Sequence, residues 1–136
     1  MTKPLKNILA VLLGLIIGSI INMGIIMIGS SVIPPPEGVD VTNMESLIAG
    51  IDLFKAKHFI SPFLAHSIGA LTGSLIAYKI AASNKLIFSL VIGILFLIGG
   101  ITNLFMLPSP LWFSVLDISL AYIPMAWIGA KLAQKF

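Results

Sequence analysis

The chain has no cysteine and no arginine, and only 10% of its 136 residues carry charge. Without cysteine there is no disulfide, thiol redox centre, thiolate metal site or S-acylation, and thiol usage says nothing about compartment. The net charge of +3 comes from eight lysines alone, so the bidentate fork that reads phosphate or guanine is missing and the basic balance does not point to nucleic acid. A Walker loop, a dinucleotide fingerprint and a G-x-S-x-G elbow are absent too, and the sequence implies no cofactor.

What the chain has in excess is hydrocarbon. It is 58% apolar, against about 45–50% in ordinary soluble proteins, with a mean hydropathy of +1.10. A core of 136 residues is too small to hide that much apolar surface from water. The pattern predicts an all-α integral membrane protein, a single transmembrane domain over residues 1–136 with helices over about 8–30, 62–82, 85–107 and 110–131. Each run holds 21–23 residues, about 32 Å of helix at 1.5 Å per residue, which matches a hydrocarbon layer of about 30 Å. The apolar stretch from Ile8 is longer than the 7–15 residues or so of a signal peptide and no A-x-A-like site follows, so a retained first helix is expected, with a cleaved signal as the alternative.

Proline and serine mark the boundaries. Ser61-Pro62 and Ser109-Pro110 each have the form of a cap followed by proline at the first helical position, while Ser83-Asn84 leaves room only for a tight turn. The expected arrangement is an up-down-up-down bundle. Lys3, Lys6, Lys79, Lys85, Lys131 and Lys135 fall on one side, and Lys55 and Lys57 on the other are offset by Glu37, Asp40, Glu45 and Asp52. The positive-inside rule then predicts a bacterial-type inner-membrane protein with both termini in the cytoplasm, and the bias argues against a dual-topology dimer.

Residues 33–60 form the one sizeable segment outside the spans. Pro34-Pro35-Pro36 predicts a stiff exit from the first helix. Thr42 and Glu45 have capping-box spacing, and Met44, Leu47, Ile48, Ile51 and Phe54 recur at helical spacing, which predicts a short amphipathic helix over about 43–57. Such a helix serves as a lid on the bundle or as a surface for membrane or partner.

Each expected span carries one conspicuous polar residue: Asn22, His66, Asn103 and Asp117, all in the half of the membrane nearer residues 33–60. Each lies on or beside a stripe of small residues, including the G-x-x-x-G pairs Gly14/Gly18 and Gly69/Gly73, which let helices approach closely. A lipid-facing carboxylate costs about 2.5–3.5 kcal/mol on insertion scales, so Asp117 is expected to turn inward and find a donor. His66 is the leading candidate, with Asn22, Asn103 and Tyr122 as further partners. Pro124 leaves the carbonyl of Leu120 without its usual donor and predicts a kink beside Asp117.

These features suggest an outward-facing polar pocket of Asn22, His66, Asn103, Asp117 and Tyr122 that binds or passes a small solute or a proton, in a non-enzymatic protein, with the lipid bilayer as its constant partner and a homo-oligomer as a possible form. A second reading is an accessory subunit of a membrane complex in which the polar layer is a helix-to-helix latch. A third is a membrane enzyme using His66 and Asp117 as acid and base. A metal site on His58, His66 and Asp117, with Glu37 or Asp40, is a weaker idea because no recognised ligand spacing is present.

Overall fold

The computed structural model describes all 136 residues, and they form helices and turns with no strand. Helix α1 spans Lys3–Val32, α2 Met44–Gly50, α3 Ile60–Ile80, α4 Lys85–Met106, α5 Leu111–Leu120 and α6 Ile123–Lys135, with 3-10 turns at Ile51–Leu53 and Ala56–Phe59. Four helical segments are long and apolar enough to cross a membrane: Lys3–Val32, Ala56–Ile80, Lys85–Met106 and Leu111–Lys135.

Several boundaries differ from the sequence expectation, each for a local reason. The first helix starts at Lys3, five residues early, because Pro4 sits in the first turn, where its missing N–H is not needed. The third starts at Ile60, so Ser61 is inside the helix and Pro62 occupies the third helical position, still within the turn whose N–H groups lack helical partners. Pro110 itself, rather than Ser109, caps α5. The expected amphipathic helix over 43–57 is the single α-helix Met44–Gly50 followed by two 3-10 turns. Its cap lies one residue later than the Thr42/Glu45 spacing suggested: Asn43 accepts from the Ser46 N–H at 3.0 Å, while Thr42 is taken by Asp40, to which it donates both N–H and Oγ1–H.

The last apolar run is two helices. Ala121 N–H still reaches the Asp117 carbonyl at 2.9 Å and Ala126 N–H restarts the ladder on Tyr122 at 2.9 Å, with Ala121 and Tyr122 forming a turn between them. The break falls where Pro124 deprives Leu120 of its donor, and Pro124 then sits in the first turn of α6. At the other connection Asn84 takes the left-handed conformation, φ 46°, that tightens the α3–α4 turn and that asparagine tolerates better than most side chains.

The interior is built from small residues. Ala10, Ala65, Ala70, Ala77, Ala126 and Ala130 are wholly buried, whereas most of the isoleucines and leucines face outward. Helix α3 is the hub, packed on α1, α4 and α6. The two G-x-x-x-G motifs dock on each other: a β-carbon at Gly14 would stand 2.7 Å from the Gly73 carbonyl oxygen, one at Gly73 2.6 Å from that of Gly14, and Gly18 and Gly69 are paired in the same way. Backbone therefore meets backbone, and both partners are rigid. Ascending positions on α1 meet descending ones on α3, and at the end near Ala81–Asn84 the Asn7 amide fastens the pair, accepting from Ala82 N–H at 2.8 Å and donating to Ser83 Oγ at 3.0 Å. A buried serine relay ties the other helices in: Ser89 Oγ donates to the Ser74 carbonyl at 3.0 Å, and Ser74 Oγ to the Ala126 carbonyl at 2.5 Å.

Candidate functional site

The break between α5 and α6 makes the site. In an unbroken helix, side chains five residues apart point about 140° from each other. Here the turn swings Tyr122 back over its own helix, so that its hydroxyl donates to Asp117 Oδ2 at 2.7 Å. Gly100 on α4 provides the notch that admits the Tyr122 ring, since any β-carbon there would run into it, and Gly93 makes room for Ala126 one step further along. Tyr122 and Asp117 are almost completely buried, at 1% and 3% exposure.

His66 completes a three-membered cluster. Its Nδ1 lies 2.9 Å from both Asp117 carboxylate oxygens and 3.0 Å from the Tyr122 hydroxyl, and the imidazole stacks on the Tyr122 ring with centroids 5.6 Å apart. The tautomer follows from donor counting. The Tyr122 hydroxyl gives its proton to Asp117, and the carboxylate is an acceptor, so Nδ1 carries the hydrogen that faces it. In the neutral ring Nε2 is then left as an acceptor. Nε2 has no hydrogen-bond partner in the protein and is not enclosed, because the buried unpartnered side-chain atoms are Asn22 Oδ1 and Ser67 Oγ alone.

His66 also lines a cavity of about 420 Å³ between α1 and α4, within the volume range of small-molecule pockets. Its polar wall is Ser19 and Asn22 from α1, His66 from α3, Asn103 from α4, and Tyr122. Leu15, Ile26, Leu95 and Phe96 supply the apolar remainder. Phe96 packs where Gly18 and Gly69 cross, filling the space between α1, α3 and α4 there and contributing to the cavity wall. No charged side chain lines the cavity.

Of the five residues singled out from sequence, four line this space, and Asp117 stands behind His66 and Tyr122 without reaching it. The expectation that Asn22 and Asn103 would also bond Asp117 is corrected. Asn22 sits across the cavity on α1 with its Oδ1 buried and unpaired, and Asn103 is exposed at the rim, because the Asp117 oxygens point at α3 and are already covered by His66 and Tyr122. Gly99 belongs to the small-residue stripe beside Asn103, whereas Ser19 and Gly100 are additions that the structure makes. Ser19 was legible as the residue one turn before Asn22 on the same stripe, whereas the role of Gly100 depends on Tyr122 and had no local signal.

The weak metal idea finds no cluster of three histidine or acidic side chains. His58 is committed elsewhere, its Nδ1 accepting from the Lys55 N–H at 2.8 Å and its ring set edge-on against Phe54. Compared with known protein families, characterised proteins and solved structures, the chain matches none.

Proposed function

We propose that this protein is a four-span integral membrane protein, an up-down-up-down bundle with both termini in the cytoplasm of a bacterial-type cell, whose pocket at His66 binds or passes a small solute or a proton. The inverted distribution of side chains supports the membrane reading. Ile8, Ile16, Ile20, Ile28, Ile98 and Phe105 are all more than half exposed, while the interior is alanine, glycine and serine. In water this surface would drive aggregation, whereas in lipid it is solvated and small residues give the closest helix packing. The side assignment rests on the lysine bias.

The observation that carries the functional reading is the setting of His66, whose Nδ1 is anchored on a buried carboxylate while the residue lines an open cavity and its Nε2 is unpartnered and not enclosed. A latch needs only the first half of that arrangement. An imidazole held by a carboxylate on one nitrogen and free on the other accepts a proton or hydrogen bond from whatever enters, with Asp117 stabilising the imidazolium if the proton transfers. The latch of an accessory subunit remains the second reading, favoured by the full hydrogen bonding of Asp117, and a membrane enzyme would use the same face of His66.

Water access separates these readings. Single cysteines at Ser19 and Asn103, on the cavity wall, are expected to react with a small charged methanethiosulfonate reagent in proteoliposomes, while one at Ile98, a lipid-facing position beside the cavity, stays unreactive. Cavity cysteines as inert as Ile98→Cys, in a cavity that also takes up no ligand from the bilayer, would leave the latch as the function.

A further inference from the structure

The position of the cavity mouth narrows the ligand class, an argument that rests on the pocket reading above. The walls form one stripe on α1, Leu15, Ser19, Asn22 and Ile26, and one on α4 around Leu95, Gly99 and Asn103. One residue around each helix lies the adjacent stripe, Ile16, Ile20, Met23 and Met27 on α1 and Ile94, Ile98 and Ile101 on α4, all exposed. Ser19, Leu95, Gly99 and Asn103 are exposed at the rim itself, and α1 touches α4 far less than it touches α3. The mouth is thus a slit between two helices in the apolar belt of the molecule, with polar groups at its back. From Leu15 to Ile26 it runs about 16 Å along the helix axis, roughly half the hydrocarbon thickness.

A slit in that belt opens onto acyl chains, so its natural occupant arrives sideways from the bilayer and leaves its chain there. The head group is set by the polar wall. With no lysine or other cation lining the cavity, nothing offsets a phosphate or carboxylate head. With Nδ1–H held by Asp117, Nε2 requires a donor, which ketones, esters and ethers lack and a hydroxyl supplies. Ser19 and Asn103 at the rim, and the Asn22 Nδ2, which is unpartnered and not enclosed, offer donors for the same hydroxyl's oxygen.

We propose that the cavity is a lateral binding site for an uncharged, hydroxyl-bearing amphiphile of the membrane, its hydroxyl donating to His66 Nε2 and its chain passing out between α1 and α4.

The test uses the full chain in phosphatidylcholine vesicles with two photoreactive probes, a hexadecanol carrying a diazirine near the hydroxyl and its methyl ether. The alcohol is expected to crosslink within residues 15–26 and 95–103. The ether, lacking the one hydrogen bond to Nε2, is expected to label these segments about three- to tenfold less. Gly99→Leu is the blocking variant, because a β-carbon at Gly99 meets nothing within 4 Å and the side chain grows into the slit without disturbing packing. It should abolish labelling of the two segments while leaving labelling elsewhere on the apolar surface unchanged, and His66→Ala should erase the preference for alcohol over ether. Equal labelling by both probes, or labelling that survives Gly99→Leu, overturns the proposal. If Ser19→Cys and Asn103→Cys are water-accessible and the alcohol still does not label, the lateral-ligand inference fails while the pocket stands; if those cysteines are inert and the alcohol does not label either, the pocket reading fails with it.

Discussion

Coupling between His66 and Asp117 is the most direct measure of the polar cluster. Asp117→Ala removes the acceptor of two donors, the His66 Nδ1–H at 2.9 Å and the Tyr122 hydroxyl at 2.7 Å, at 3% exposure. Losing hydrogen bonds to a carboxylate costs about 1.5–3 kcal/mol each in general, or about 3–6 kcal/mol for the two. The loss should fall toward the low end here, because the Tyr122 hydroxyl and His66 Nδ1 are already 3.0 Å apart and bond each other once the carboxylate is gone. His66→Ala leaves Asp117 with Tyr122 and should cost about 1–3 kcal/mol. Interhelical hydrogen bonds in membranes couple by about 0.6 kcal/mol on average and up to about 1.7, and a bond shared by both carboxylate oxygens belongs in the upper part of that range. The double variant should therefore be less destabilised than the sum of the singles by about 1–1.7 kcal/mol. The assay is reversible unfolding in bicelles, followed for wild type, both singles and the double. Asp117→Asn keeps an acceptor for His66 and should lie within about 1 kcal/mol of wild type. Additivity of the two alanine variants within about 0.5 kcal/mol would refute the coupling and with it the anchoring of the imidazole.

Two further outcomes concern the ends of the bundle. Cysteines replacing Lys85 and Lys135 are expected to resist an impermeant maleimide applied to intact cells while one replacing Glu45 reacts, and labelling of Lys85→Cys from outside would invert the assigned sides. In the segment before α2, the two bonds that Thr42 donates, chiefly the one from its hydroxyl, hold the Asp40 carboxyl below the ordinary aspartate range. A depressed carboxyl supports the folded turn above its unfolded pKa and loses that support as pH falls through the folded value. Thr42→Ala should accordingly raise the Asp40 titration seen by carboxyl NMR, and an unchanged titration would mean the turn is not formed.

The membrane-length helices and their approximate limits are legible in composition and spacing, because a run of about 20 apolar residues has few alternatives and proline, serine and asparagine act within a turn of where they stand. The break at Ala121–Tyr122 is local in the same sense, since Pro124 removes a specific hydrogen bond wherever the helix packs. Residues 43–57 were less legible: five apolar residues at helical spacing fit one helix, but Gly50 packs so closely on Val39 that no β-carbon fits, and the chain leaves the α-helix there in 3-10 turns. Polar residues in apolar runs announce that they need partners, and the cost of an unpaired carboxylate requires a donor for Asp117 without selecting it. Tertiary structure makes the selection. Tyr122 reaches Asp117 only because the helix breaks and Gly100 admits its ring, and Asn22 and Asn103 line the cavity instead, since the Asp117 oxygens are already taken by His66 and Tyr122. Spacing along one helix tells which residues share a face, whereas which faces meet, and where they fail to meet and leave a slit, depends on side chains far apart in the chain.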